Sequence, residues 1–144
     1  MTDDEHYRKL ERMYAAAPVS RWYGAAIAIA DGRAEVKITV RPEFHHAAHA
    51  VHGSVYFRAL DDAAFFAANS RVQDVFVLTV SYTVHFVRPV VSGELRAVGR
   101  LLHASGRLFL AEAELLDAEG QLLGRGSGVF SRSSIPLEPA IGYV

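Results

Sequence analysis

The chain contains no cysteine. That excludes a disulfide framework, a thiol nucleophile and any cysteine-ligated zinc or iron–sulfur centre. Lysine is almost missing too: Lys9 and Lys37 are the only two, and the other basic residues are arginines. Arginine's planar fork suits phosphate and carboxylate groups, although so uneven a ratio is equally a product of genomic composition. A formal net charge of −1 gives no general attraction to nucleic acid or to anionic membrane. No segment approaches the roughly 18 uninterrupted apolar residues of a membrane span. Residues 1–6 are acidic and lack the basic-then-apolar pattern of a signal peptide. The expectation is a cytoplasmic protein with neither nucleic acid nor membrane as partner.

What is present is a globular balance, 51% apolar and 22% charged over 144 residues, enough for one domain with a sizeable core. Residues 3–16 predict a short helix with Leu10, Met13 and Tyr14 as its apolar stripe, and Pro18 ends it. Residues 22–30 and 33–40 read as strands joined by Asp31-Gly32, a two-residue hairpin signal. Residues 54–68 are apolar almost all round and rich in alanine, which predicts a buried helix wrapped by other elements.

The remainder is β. Phe76, Leu78, Val80, Tyr82, Val84 and Phe86 alternate along one face of a long strand, with Thr79, Ser81, Thr83 and His85 on the other. Three further strands, 94–103, 107–117 and 121–131, are separated by turns containing Ser105-Gly106 and Glu119-Gly120, and residues 132–144 read as an irregular tail. The pattern predicts an α+β architecture over 1–144: a short N-terminal helix (1–18), then a core (19–131) in which one curved antiparallel sheet wraps one long central helix.

The segment His45-His46-Ala47-Ala48-His49-Ala50-Val51-His52 holds four of the seven histidines. Spacings of three and four suggest metal ligation on a helix. Against this, Arg41-Pro42 before it and Gly53 after it mark a loop. Asp61 and Asp62, about 100° apart on a helix, cannot both face one ion. No His-Glu-x-x-His pattern occurs either. The expectation is no metal.

Two features of the helix point to chemistry. Gly53 precedes a buried helix, where free N–H groups and the positive dipole end can polarise a carbonyl or hold an oxyanion. Asp61 is a carboxylate two turns inside an apolar helix, so it meets a partner or lines a cavity. Arg58 is a possible ion-pair partner for Asp61 or Asp62. Gly53 and Asp61 are about 12 Å apart along such a helix, too far for one reacting group to touch both. If both act on one carbonyl, they come from different chains of a symmetric dimer.

The run from His52 to Asp61, with Phe86-Val87-Arg88-Pro89 and Gly93-Glu94-Leu95 downstream, resembles the hotdog-fold acyl-CoA thioesterases of the phenylacetyl-CoA and 4-hydroxybenzoyl-CoA thioesterase-like group. The likeness spans about residues 20–131. It implies a hotdog fold, hydrolysis of an aryl or medium-chain acyl-CoA, no cofactor beyond the CoA carried by the substrate, and a homodimer paired further into a tetramer. By position it implies Asp61 as nucleophile or general base, Gly53 as the carbonyl-polarising amide and Thr79 as a hydroxyl that positions water or the carboxylate. His52 becomes a site-shaping residue. His46 stands where the family often has asparagine, His49 where it often has a loop glycine, and Ser54 where it has a second glycine. Arg88, Arg107 and Arg71 are candidate contacts for CoA phosphates. A non-catalytic acyl-CoA or small-ligand binding module on the same fold is the alternative, since fold does not fix function. A hydratase is a third reading, whose signature is not found.

Overall fold

The computed structural model describes residues 1–144. Helix α1, Asp3–Ala16, begins with a reciprocal capping box between Thr2 and Glu5 and turns Leu10, Met13 and Tyr14 inward. Pro18 does end it, but the same residue starts a second helix, α2 (Pro18–Tyr23), where a missing N–H costs nothing. Trp22 and Tyr23, expected to open the first strand, are therefore helical, and Gly24 at φ +65° closes that helix.

Strands β1 (Ala26–Ala30) and β2 (Arg33–Thr39) form the expected hairpin, with Gly32 at φ +64° in its turn. The central helix α3 runs from Gly53 to Asn69. It is followed by β3 (Val75–Phe86), β4 (Glu94–Ser105), β5 (Leu108–Leu116) and β6 (Leu122–Pro136). All six strands form one antiparallel sheet in the order β1-β2-β4-β5-β6-β3. Residues 132–144, read above as irregular, instead carry β6 on to Pro136 beside Val75, then a 3-10 turn at Pro139–Ile141 and a buried Tyr143. No helix is long and apolar enough to cross a membrane.

Helix α3 touches every strand of the sheet. Leu60, Ala63, Ala64, Ala67 and Ala68 are fully buried, so the alanines let strand backbones approach closely. The approach is tightest at Gly99 of β4, where a Cβ would overlap the Ala63 carbonyl.

Strand β3 departs from simple alternation. Its pairing with β6 shifts register between Val75 and Val77 and again between Thr79 and Ser81, leaving Val80 as an extra residue. Val77 is consequently buried, Thr79 turns inward to α3, and Tyr82 faces the core after the second bulge. Leu78 and Val80, expected on the same face as Tyr82, are exposed instead.

Candidate active site

Asp61 leaves α3 on the side that faces β3. The Thr79 hydroxyl donates a hydrogen bond to its Oδ1 at 2.9 Å. This contact exists because the bulge at Val80 gives the two halves of β3 opposite alternation. Burial pushes the Asp61 carboxyl up from its ordinary 3.8 to about 6. The Thr79 hydrogen bond and the Arg58 charge act the other way, and the Asp62 charge adds to the rise. Asp61 opens on an apolar cleft of about 380 Å³, whose aromatic wall is Phe65, Phe66 and Phe76.

Asp62, one residue on, borders the same cleft but has different partners. It accepts hydrogen bonds from the Tyr14 hydroxyl at 2.7 Å and from Arg58 Nε. Arg58 in turn donates through Nη2 to Ser20 Oγ at 3.0 Å, and its guanidinium lies over the rings of Tyr14 and Tyr23. Burial raises the Asp62 carboxyl too, while Arg58 and Tyr14 oppose the rise by stabilising its charge. Arg58 is thus the partner of Asp62, not of Asp61. The polar bridge from α3 to both N-terminal helices is not evident from sequence, because Tyr14 reads as one member of an apolar stripe.

The start of α3 forms a second locus. His52 is the N-cap, and its Nδ1 accepts the Ser54 N–H at 3.0 Å and lies 2.8 Å from Ser54 Oγ. An accepting Nδ1 leaves the ring proton on Nε2. His46 Nδ1 likewise accepts from the Ala48 N–H, at 3.1 Å. The Gly53 N–H makes no hydrogen bond within the chain. A Cβ at Gly53 would sit 2.9 Å from the Phe86 ring, so the Phe86 side chain crowds any larger residue. His46, Gly53, Tyr56, Phe86 and Arg88 share a second cavity, also about 380 Å³. Arg88 there is held by Gln121, and its carbonyl accepts from the Tyr56 hydroxyl.

The four histidines of the loop do not converge on one point: His46 and His52 meet edge-on with ring centroids 6.4 Å apart, and the other two lie apart from them. His45 Nε2 lies 2.8 Å from the Val91 carbonyl, and His49 adopts a left-handed φ of +63° where a glycine is the easier residue. Ser54 is turned to His52. Two arginines are elsewhere: Arg107 lies in the β4–β5 turn and lines neither cavity, and Arg71 is paired with Asp31. Phe57, one turn before Asp61, is exposed and packs edge-on against Tyr82.

A six-stranded antiparallel sheet curled around one long helix, with a protonatable carboxylate at mid-helix and a free amide at its start, defines a hotdog-fold protein of the α+β class. The chain belongs to the thioesterase superfamily, whose model matches residues 48–123. It is similar in structure to the Escherichia coli PaaI protein from the phenylacetic acid degradation operon, at 20% identity and a TM-score of 0.85, covering 94% of this chain and 99% of that one. A conserved Pseudomonas aeruginosa protein is 26% identical, with a TM-score of 0.79 over 85% and 98% of the two chains. A Haemophilus influenzae thioesterase is 16% identical, with a TM-score of 0.78 over 87% and 88%. Sequence comparison with curated proteins finds no match.

Proposed function

We propose that this protein hydrolyses an aryl or medium-chain acyl-CoA to free acid and CoA, at a site completed by a second copy of the chain. The observation that carries this reading is Asp61: a carboxylate lifted to about 6, held by the Thr79 hydroxyl, at the mouth of an apolar cleft. A carboxyl in that range is ionised at neutral pH yet basic enough to take a proton from water. The same group can instead attack the thioester carbonyl and form a transient anhydride, which water then hydrolyses to the free acid and the restored Asp61 carboxylate. In both routes the Gly53 N–H donates to the carbonyl oxygen as it gains charge, and the CoA thiolate departs with the electron pair of the broken C–S bond. The reaction needs no metal ion and no cofactor beyond the CoA that the substrate brings. His46 and His52 flank the carbonyl position, Ser54 steadies His52, and Arg88 is suited to the CoA phosphates.

Gly53 and Asp61 line different cavities of one protomer. Each protomer therefore holds two half-sites, and a two-fold dimer gives two whole ones. The long edge strand β3, with Leu78 and Val80 exposed, supplies an unpaired backbone edge for that contact. Leu108 and Leu110, also exposed on the outer face of β5, favour further pairing into a tetramer.

Thiol release from a panel of acyl-CoA substrates, for wild type and Asp61→Asn, tests the proposal. Activity that persists undiminished in the variant removes Asp61 from this role. Binding without thiol release by the wild type leaves a ligand-binding module.

A further inference from the structure

Only part of the cleft beside Asp61 is built by the segment that matches the superfamily. Its floor is α3 and its aromatic wall includes Phe76 of β3, but the opposite wall comes from the two ends of the chain. Met13 contributes from α1, Ala17 from the joint between the two helices and Val19 from α2, and Ile135 and Ile141 from the end of β6 and the turn beyond it. All five lie outside residues 48–123, the part that matches the superfamily. Two of them are apolar residues that the fold leaves uncovered at the rim, Val19 at 49% exposure and Ile135 at 39%.

The α1–α2 part of this wall is tied down rather than loosely apposed. Tyr14 of α1 and Ser20 of α2 are both hydrogen-bonded to the buried Arg58–Asp62 pair, which sits on α3 next to Asp61 itself. The α1–α2 side therefore keeps a set distance from the reacting carboxylate, and Ile135 is carried by β6 where its end pairs with β3. A cleft with fixed apolar sides selects by length and bulk, because each methylene that does not fit is refused.

We propose, resting on the thioesterase reading above, that the acyl group enters this cleft and that the α1–α2 segment and the chain's end form its selecting wall. Val19 and Ile135 set the length of acyl chain that is accepted. They do not touch the reacting atoms and act only on specificity. The machinery thus sits in the shared segment, and the choice of substrate sits in the termini.

The test is kcat/KM for a straight-chain series from acetyl-CoA to decanoyl-CoA, in wild type, Val19→Trp and Ile135→Trp. Both changes are at partly exposed positions, so folding is retained. The expected result is a loss of about tenfold or more at the long end and less than about twofold at the short end. Val19→Ala, which only removes atoms, shifts the preference towards longer acyl groups. Equal effects along the whole series, or none, overturn the proposal. If wild type releases no thiol from any member, the thioesterase reading falls separately. The wall is then judged by affinity, using Asp61→Asn with and without Val19→Trp. Affinity that tightens with acyl length and loses that dependence in the double variant upholds the wall. Affinity independent of length overturns it.

Discussion

Asp61 and Asp62 are neighbours in sequence with different surroundings: one faces Thr79 and a cleft, the other faces Arg58 and Tyr14. Helical geometry makes the separation, and environment then gives each carboxyl its character. For Asp61 the raised value near 6 leads to two measurements of opposite sense. In the proposed mechanism the active form is the carboxylate, so kcat/KM is expected to fall as pH drops through about 6, with a slope set by one proton. Stability runs the other way. The unfolded carboxyl ionises near 3.8, so between there and about 6 the folded state holds a proton that the unfolded state has released. Stability contributed by Asp61 is present at low pH and is lost as pH rises through that window. Asp61→Asn removes the cost of a buried charge, and the variant is expected to melt above wild type at neutral pH while hydrolysis drops by a factor of about 100 or more. A second residue carries a cost with no site role. The Tyr82 hydroxyl is buried without a partner, its ring laid against Gly126 and Gly128 of β6. Tyr82→Phe is therefore expected to leave the melting temperature unchanged or raise it, with a gain of up to about 1 kcal/mol.

At the scale of elements, α3 is held to α1 and α2 by a polar clasp in otherwise apolar surroundings. The side chains of Arg58 and Asp62 are each 14% exposed. Asp62→Ala leaves a buried guanidinium unpaired and frees Tyr14, and an expected loss of about 3–5 kcal/mol is measured by chemical denaturation. Arg58→Met combined with Asp62→Leu removes both charges and is expected to recover most of that loss. Much of this scale was legible in the sequence. The apolar helix, the Asp-Gly hairpin and the antiparallel meander followed from periodicity, and Asp61 and Gly53 stood out because each is anomalous for its helix. What escaped depends on partners distant in sequence. The Thr79 contact needs a bulge that no local pattern announces. Pro18 ends one helix and begins another, and both roles fit the same residue. Ser131 to Ser134 lack alternating apolar residues, yet β6 continues through them because β3 lies alongside and Ser133 Oγ donates to the Phe76 carbonyl. The Asp62–Arg58–Ser20 chain likewise joins residues whose pairing only the packing of α1 and α2 decides.

At the scale of the whole molecule, the two chain ends meet through His6. Its ring is fully buried between the Tyr143 hydroxyl at 2.7 Å and the Asn69 carbonyl at 3.0 Å. Burial lowers its pKa below the ordinary 6.5. The unfolded state therefore takes up the proton first as pH falls, so the stability His6 contributes is present above about 6.5 and is lost below it. Wild type should lose melting temperature between about pH 7 and pH 5.5 by more than His6→Gln does, since only the histidine titrates there.

The proposed division of the site between two copies makes the most demanding prediction. Gly53→Pro removes the free amide at a first-turn position whose backbone suits proline, provided that the Phe86 ring turns aside for the new side chain, and Asp61→Asn removes the carboxylate. Each variant alone leaves every site lacking one component. Mixed and allowed to exchange subunits, half of the dimers become heterodimers, and each heterodimer pairs an intact Gly53 from one copy with an intact Asp61 from the other at one of its two sites. Thiol release should therefore return to about a quarter of the wild-type rate for the same total protein. A site contained within one protomer cannot be restored in this way. A mixture that exchanges subunits, as verified by mass spectrometry, but stays inactive would return both halves of the chemistry to a single chain. That outcome conflicts with the eight-residue separation of Gly53 and Asp61 along one helix and with their two separate cavities.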